Sequence, residues 1–290
     1  MKKNINILGT FVILCILAVS CSKDDSSTSS INMIIDHNCT DLSKIPDDAI
    51  NKASSDLYIA FNSSWWRGAE ISYGLADLAG FKGALYRINE FGNDGQLRFD
   101  ANRAFGNVNN IENSRDSSWY KVTRDTLKAN KKINVVMWSW EEGVSEAKSS
   151  EIDVYLNLMN QLEQDFPNVK FVYMTGALDG TSNTDNLYLR NEQIRKYCKD
   201  NNKILFDFAD IESYDPDGIY YGDKLANDTC GYDSNNDGKT DKNWATEWQK
   251  THAKRWYECG PDQTPPLNSN QKAYAAWWMF ARIAGWDGTK

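Results

Sequence analysis

The chain has 290 residues and a formal net charge of −8 at pH 7. This acidic balance argues against nucleic acid and anionic lipid surfaces as partners, because both are bound through a basic face. About 260 residues follow position 31, which is enough for one large domain with its own hydrophobic core.

The N-terminus has the pattern of a cleavable export signal. Lys2 and Lys3 supply a positive start, and residues 5–19 form an apolar run that is too short to span a bilayer. The run ends in Leu-Ala-Val-Ser-Cys at 17–21, which resembles the lipobox of bacterial lipoproteins. We therefore expect residues 1–20 to be removed, which makes the net charge −10, and Cys21 to carry the lipid. The alternative is an ordinary secretory signal with a chance cysteine.

The segment after Cys21 predicts a location on the cell surface. Ser22-Lys23-Asp24-Asp25 resembles the acidic tag that sends some Gram-negative lipoproteins to the outer face of the outer membrane. Residues 26–30 are all serine or threonine, so we expect residues 21–31 to form a lipidated, flexible tether. The membrane would then be a partner through the lipid anchor only.

Four further cysteines remain in the mature chain, at Cys39, Cys198, Cys230 and Cys259. An even number in an oxidising envelope predicts two disulfides, and three pairings are possible. We favour Cys230 with Cys259 and Cys39 with Cys198. Metal binding by thiolates is not expected, because no C-x-x-C spacing occurs.

Residues 32–290 are expected to form a single domain. Short apolar runs alternate with longer amphipathic runs, which is typical of a parallel sheet covered by helices on both faces. The predicted strands are 57–61, 84–88, 133–138, 169–174 and 204–208. The predicted helices are 149–166, 187–201 and 269–284, and the apolar face of the last one includes Trp277. The expected fold class is therefore α/β, with three α/β/α layers and a five-stranded parallel sheet.

Residues 212–266 interrupt this alternation and form a long irregular insert before the last helix. Within it, residues 233–241 read D-S-N-N-D-G-K-T-D, which reproduces the start of a calcium loop. The twelfth position holds Trp244, so Glu247 or another carboxylate would have to replace the usual bidentate Glu. We expect a structural calcium ion, and the alternative is a hydrophilic Asx-turn loop without metal. The candidate ligands are Asp233, Asn235, Asp237 and Asp241.

In an open parallel sheet, ligands bind beyond the carboxyl ends of the strands, so the residues after each strand are the candidate site. The first predicted strand runs into Asn-Ser-Ser-Trp-Trp-Arg at 62–67, and the third into Ser-Trp-Glu-Glu-Gly at 139–143. The fourth runs into Thr-Gly-Ala-Leu-Asp at 175–179, and the fifth into Asp-Phe-Ala-Asp at 207–210. Together these segments would build a cleft of hydroxyls, carboxylates and indoles.

This order of parts resembles the SGNH (GDSL-like) hydrolases, a flavodoxin-like family of esterases, many of which deacylate carbohydrates. In that family a nucleophilic Ser follows the first strand, a Gly and an Asn help to form the oxyanion hole, and an Asp-x-x-His pair precedes the last helix. Segments 39–46, 135–140, 155–176, 207–222 and 266–288 also resemble a group of bacterial lipoproteins with this fold. The resemblance implies a flavodoxin-like sheet and a carbohydrate as the target.

Carried onto this sequence, the resemblance makes Ser64 the nucleophile, with Ser63 in reserve, and Gly106 the glycine of the oxyanion hole. Where the family has Asn, this chain has Trp-Glu-Glu at 140–142, and none of these side chains donates as a neutral amide does. The last block begins at Asp262 and contains no His where the base belongs. The catalytic set is therefore incomplete.

A serine needs an adjacent base to become a nucleophile, and the chain contains only His37 and His252. His37 precedes the first predicted strand and is expected to be structural, bonding near Cys39. His252 lies in the insert close to the last block and could replace the missing base. Ser64, His252 and Asp262 would then be the catalytic set of a carbohydrate deacetylase.

Two further hypotheses do not need a serine nucleophile. One is a glycosidase in which Glu141 and Glu142 act with a carboxylate across the cleft, although neighbours in sequence usually point apart. The other is glycan binding, in which indoles stack on sugar rings and charged groups bond hydroxyls. The candidate substrate-binding residues are Trp65, Trp66, Arg67, Gly106, Trp140, Glu141 and Asp179.

The sequence thus predicts a surface-exposed lipoprotein whose SGNH-hydrolase-like domain is directed at a polysaccharide or oligosaccharide. Because the catalytic set is incomplete, binding without turnover is favoured over ester hydrolysis. Neither an organic cofactor nor a nucleic-acid partner is expected.

Overall fold

Seven parallel strands form the central sheet of the protein. The computed structural model describes residues 33–62, 69–91, 95–101, 104–105, 117–140, 143–260 and 264–289. The strands of the sheet are β1 (Met33–Ile35), β2 (Tyr58–Asn62), β3 (Ile88–Asn89), β4 (Leu97–Ala101), β5 (Val135–Trp138), β6 (Lys170–Met174) and β7 (Ile204–Phe206). Their order across the sheet is β1-β7-β6-β5-β2-β4-β3, and every neighbouring pair is parallel.

Helices cover both faces of this sheet. They are α1 (Asp47–Asp56), α2 (Ala69–Lys82), α3 (Ser118–Ala129), α4 (Gly143–Glu146), α5 (Ser149–Asp165), α6 (Asn186–Asp200), α7 (Phe208–Glu212), α8 (Trp244–Thr251) and α9 (Pro266–Ile283). One layer contains α1 and α2, which both contact α9, and the other contains α3, α5 and α6. None of the described helices is both long enough and apolar enough to cross a membrane.

The central strands are apolar on both faces because both faces are covered. All residues of β2 and of β5 are buried, and Ile59 of β2 pairs with Phe99 on one side and Val135 on the other. Such strands show a continuous apolar run and not an alternating one. Trp277 on α9 is fully buried, which confirms its predicted place in the core.

The sequence patterns located most of the long elements correctly. The predicted strands at 57–61, 133–138, 169–174 and 204–208 correspond to β2, β5, β6 and β7. The predicted helices at 149–166, 187–201 and 269–284 correspond to α5, α6 and α9. These elements have either continuous apolar runs or clear helical periodicity. The secondary structure that the local pattern predicts is therefore also the one that buries these apolar side chains in the core.

The predicted five-stranded sheet is wrong in strand number. Residues 84–88 form a 3₁₀ turn at Ala84–Tyr86 followed by the two-residue β3, and the strand beside β2 is β4. The sequence pattern does not indicate β4, because Arg98 and Asp100 interrupt its apolar residues. Arg98 donates to the hydroxyl of Tyr58 at 3.0 Å, and that hydroxyl donates to Asp100 at 3.1 Å. The edge strand β1, with three residues, is too short to give a periodic signal.

The insert at 212–266 has a small core of its own. It contains a two-stranded antiparallel ladder of β8 (Gly231–Tyr232) and β9 (Lys242–Asn243), followed by α8. Buried Cys230, Trp244 and Trp248 pack together, and Leu267 from the start of α9 completes the cluster. The insert is therefore fixed to the end of the central sheet at which α9 begins.

Neither predicted disulfide forms in the structure, and all four described cysteines are free. Cys230 is in the core of the insert, whereas Cys259 packs against the main core; Cys39 lies just after β1 and Cys198 lies on α6. The thiol of Cys259 contacts the side-chain amide of Asn270 at 3.3 Å. Burial raises the pKa of Cys39 and of Cys259 to about 12.

This arrangement predicts that the thiols are present but protected. In a soluble protein that begins at Ser22, denaturation and alkylation without a reductant should add four alkyl groups, which intact mass spectrometry counts. The folded protein at pH 8 should react slowly, because the thiolate is the reactive form and burial disfavours it. A denatured protein that takes up two groups or none would contradict the free-thiol assignment.

Candidate functional site

The carboxyl ends of the seven parallel strands lie at one edge of the sheet, and this edge gathers buried polar groups. Asn62 ends β2, and Ser139, Thr175 and Asp207 each directly follow a strand; all four are at most 4% exposed. The hydroxyl of Ser139 donates to the carbonyl oxygen of Asn62 at 3.0 Å, which joins the ends of β5 and β2. Buried polar groups do not contribute to a hydrophobic core. Their concentration at the carboxyl edge of a parallel sheet, where ligands bind, makes this edge the candidate site.

Most residues predicted to form the site fall outside the described part of the chain. The structure therefore gives no position for Ser64, Trp65, Trp66, Arg67, Gly106, Glu141 or Asp262, nor for Cys21 at the N-terminus. The predicted residues that are described are Trp140, Asp179, His252 and the four candidate calcium ligands.

Trp140 lies inside the protein and not on a ligand-accessible face. Its side chain is 3% exposed, and its ring meets Tyr155 edge-on with centroids 4.7 Å apart. The prediction that this indole stacks on a sugar ring is therefore wrong for this conformation. Strand β5 ends just before Trp140, and the same apolar surroundings that bury the strand also enclose the indole.

Local partners within the insert hold the ring of His252. It stacks on Trp248 with centroids 4.1 Å apart, and its Nδ1 lies 2.9 Å from the carbonyl oxygen of Trp248. Its Nε2 lies 3.9 Å from a carboxylate oxygen of Asp217. Both ring nitrogens thus face groups of the insert, and this geometry lends no support to His252 as a base for Ser64.

Three charged side chains form a buried cluster at the carboxyl edge. Lys272 on α9 is fully buried, and its ammonium contacts Glu70 at the start of α2 and Glu212 at the end of α7. The distance from Lys272 Nζ to Glu212 Oε1 is 2.6 Å, and Glu212 Oε2 accepts the N–H of Leu178 at 2.9 Å. The cluster therefore ties the segments that follow β2, β6 and β7 to the last helix.

A cavity of about 310 Å³ opens beside this cluster, above the ends of β6, β7 and β1. Rings of Tyr188, Tyr214 and Tyr220 line it, together with Asn191, Arg195 and Asp210. Tyr188 and Tyr220 are 38% and 40% exposed, so part of each ring is accessible to a ligand. The wall thus combines accessible aromatic rings with carboxylate, guanidinium, amide and hydroxyl groups.

Local sequence explains where the tyrosines stand. Tyr188 lies in the first turn of α6, and Tyr220 follows a tight turn in which the carboxylate of Asp215 accepts the N–H groups of Asp217 and Ile219. Gly222 lets the ring of Tyr220 lie close to the chain, because a Cβ there would come 2.5 Å from the tyrosine hydroxyl. The tyrosine rings are therefore positioned before any ligand arrives.

Arg195 and Asp207 form the charged side of the cavity. The guanidinium makes two bonds to Asp207, at 2.6 and 2.7 Å, and a third to Glu192 at 2.9 Å. Asp207 also accepts the hydroxyl of Thr175 at 3.1 Å. A bidentate pair of this kind fixes both side chains, and the charge of Arg195 is already paired with that of Asp207.

His37 makes a structural bond to Asp210, close to Asp36 and Cys39, as expected. Its Nδ1 lies 2.6 Å from Oδ1 of Asp210, the same oxygen accepts the backbone N–H of His37, and the imidazole stacks on Tyr214 at 3.6 Å. Burial raises the pKa of Asp210, nearby Asp207 adds to the effect, and the bonds from His37 oppose it. The contact links β1, which precedes His37, to α7 and to the tyrosine wall.

Asp179 has a supporting position beside the cavity. Its carboxylate accepts the N–H and the hydroxyl of Thr181, at 3.0 and 2.5 Å, and Thr181 lines the cavity wall. Residues 175–179 directly follow β6. Asp179 therefore shapes the turn that carries part of the wall.

The predicted calcium loop is held together by its own backbone. The carboxylate of Asp233 accepts the N–H groups of residues 235–238, and that of Asp241 accepts the N–H and the hydroxyl of Ser234. Although burial acts to raise it, these donors hold the pKa of Asp233 below its usual value.

The acidic ligand atoms of this loop do not converge on one point. Among the described residues, the group of three His, Cys, Asp or Glu ligand atoms within 4.8 Å of one another is Asp36, His37 and Asp210. The hydrogen bond between His37 and Asp210 accounts for that proximity. For residues 233–241 the geometry fits the Asx-turn alternative, and calcium binding by Asp233, Asn235, Asp237 and Asp241 stays a prediction.

The tyrosines and Glu192 were missed at the sequence level. Tyr188, Glu192 and Arg195 recur four and three residues apart, so they form one polar stripe on a helix that was interpreted only as core packing. That stripe was the available signal. Tyr220 gave none, because its position depends on how the insert folds back.

Comparisons of the chain with known protein families, with curated proteins and with solved structures give no match. The class that the structure itself defines is an α/β protein with a parallel sheet and helices on both faces. A polar, tyrosine-lined cavity at the carboxyl edge is its candidate site.

The buried cluster predicts a large loss of stability on removal of its cation. The change Lys272→Met should lower the free energy of unfolding by about 3–5 kcal/mol, because it removes the cation that neutralises two buried carboxylates. Urea denaturation followed by circular dichroism measures this. The matched control is Lys121→Met, which removes an exposed ion pair to Asp125 and should leave the midpoint unchanged. Equal midpoints for the two variants would contradict the role assigned to Lys272.

Proposed function

We propose that the protein is a surface lipoprotein that binds a glycan in the tyrosine-lined cavity without turning it over. The observation that carries the proposal is the combination of two accessible tyrosine rings with fixed polar groups around a cavity of about 310 Å³. Aromatic faces stack on the apolar faces of sugar rings, and carboxylates, amides and hydroxyls bond the ring hydroxyls. A cavity of this size is at the lower end of the volume range of small-ligand pockets.

The strand order supports an SGNH-hydrolase-like domain as part of the proposal. Leaving out the edge strands β1 and β3, the remaining order is β4-β2-β5-β6-β7. Numbered along the chain, this is 2-1-3-4-5, the order of flavodoxin-like sheets. The point at which the order reverses lies between β2 and β5, where the resemblance puts Ser64.

Binding is preferred to ester hydrolysis because no described histidine is available to such a serine. His252 is held by Trp248 and Asp217 within the insert, and His37 is bonded to Asp210 beside the tyrosines. A Ser hydroxyl without a neighbouring base is a weak nucleophile. The deacetylase set of Ser64, His252 and Asp262 therefore stays the second hypothesis.

The proposal includes the anchor. A lipid on Cys21 and a tether over residues 21–31 would hold the domain outside the outer membrane, where polysaccharides are encountered. Retention of a glycan at that surface is useful even when the same protein does not cleave it.

Removal of the two accessible rings tests the site. The double change Tyr188→Ala with Tyr220→Ala should weaken binding to any retained polysaccharide by about tenfold or more, because each stacked ring contributes about 0.5–1.5 kcal/mol. Affinity electrophoresis against a panel of soluble polysaccharides measures the change.

The control is Tyr73→Ala, which removes a 45% exposed ring on α2 that does not line the cavity. Its retention should equal that of the unmodified protein. If the double variant also retains the glycan fully, the tyrosine cavity is not the binding site. If a Trp65→Ala and Trp66→Ala variant alone loses binding, the site is the cleft predicted from the sequence.

A further inference from the structure

Carboxylates dominate the charge of the cavity wall. Among the described residues that line it, Asp36, Glu192, Asp207 and Asp210 are acidic, and Arg195 is basic. A wall of this composition sets the sign of the charge that a ligand can bring, independently of the stacking that the tyrosines provide.

The positive charge of Arg195 is already paired with two carboxylates of the protein. Its guanidinium bonds both oxygens of Asp207 and one oxygen of Glu192, at 2.6–2.9 Å. A carboxylate on a uronic acid would have to displace one of these partners and would meet the remaining acids. Among the described residues of the wall, therefore, no unpaired basic side chain is present to bind the carboxylate of an acidic sugar.

Three carboxylate oxygens remain available. Within the described part of the chain, Oδ2 of Asp36, Oδ2 of Asp210 and Oε2 of Glu192 make no hydrogen bond, whereas the other oxygen of each group is bonded. The bonded oxygen orients each carboxylate, so the second oxygen is a fixed acceptor. Acceptors without donors suit a ligand that brings donors, and an ammonium group brings three together with a positive charge.

We infer that the cavity selects an amino sugar with a free, protonated amine and excludes uronic acids. This inference rests on the proposed glycan binding and adds the class of sugar. The ammonium would lie among Asp36, Glu192 and Asp210, while an accessible tyrosine ring stacks on the sugar ring.

The experiment compares three oligosaccharides of equal length and linkage: a neutral form, an N-deacetylated amino form and a uronic acid form. Isothermal titration calorimetry at pH 6 should give about tenfold or tighter binding of the amino form than of the neutral form, and no measurable binding of the acid form. Raising the salt concentration from about 0.05 M to about 0.5 M should weaken binding of the amino form only, because ions screen the charge contribution.

Two variants locate the charge effect. Glu192→Gln and Asp36→Asn preserve size and a hydrogen-bond acceptor but remove a negative charge, so each should reduce the ratio of amino-form affinity to neutral-form affinity. Asp125→Asn on α3 makes the same change of net charge away from the cavity and should preserve the preference.

The outcomes separate this inference from the function on which it rests. If none of the three forms binds, glycan binding itself is contradicted for sugars of this kind. If the neutral and amino forms bind equally, or the acid form binds best, glycan binding stands and the inferred selectivity is wrong. If Asp125→Asn reduces the preference as much as Glu192→Gln, the effect is one of net charge and the assignment to the cavity is overturned.

Discussion

Lys272 carries a positive charge into a region that water does not reach, and its two carboxylate partners come from helices 202 and 60 residues away along the chain. A buried charge is tolerated only when partners surround it, so α2, α7 and α9 must meet at this point. The bond from Leu178 to Glu212 adds the segment after β6 to the same junction. Each of these segments leaves the carboxyl edge of the sheet. The cavity lies where they are held together, and its walls depend on this junction for their spacing.

The wall of the cavity shows how distant parts of the chain contribute to one surface. Helix α6 supplies Tyr188, Glu192 and Arg195, the insert supplies Tyr220, and the residues after β7 and β1 supply Asp210 and Asp36. His37 bonds Asp210 across 173 residues and stacks on Tyr214, which fixes the edge strand to the tyrosine wall. Asp36, Glu192 and Asp210 each have one carboxylate oxygen bonded within the protein, which leaves the other as an acceptor. Such an arrangement orients the acceptors and keeps them available to hydrogen-bond a ligand.

The sequence predicts the parts that the core determines. Continuous apolar runs located β2, β5, β6 and β7, because strands buried on both faces allow little else. The residues after β6 and β7 were correctly expected at a cleft, since parallel strands end at one edge. By contrast, β4 was not predicted, because Arg98 and Asp100 interrupt its apolar pattern. The pairing of Lys272 with Glu70 and Glu212 joins residues far apart in the chain, so no local pattern indicates it. Of the three indoles predicted to stack on a sugar, Trp140 is buried in the fold, and no local pattern indicated Tyr220.

Hydrogen–deuterium exchange with and without a bound oligosaccharide tests the location of the glycan site most directly. Measured on the protein that begins at Ser22, binding should slow amide exchange in 181–195 and 207–222, which contain the three tyrosines and all the acids of the cavity wall except Asp36. Peptides over α1 and α3, which do not line the cavity, should exchange at an unchanged rate. Slowed exchange confined to other segments, with 181–195 and 207–222 unaffected, would contradict glycan binding in this cavity.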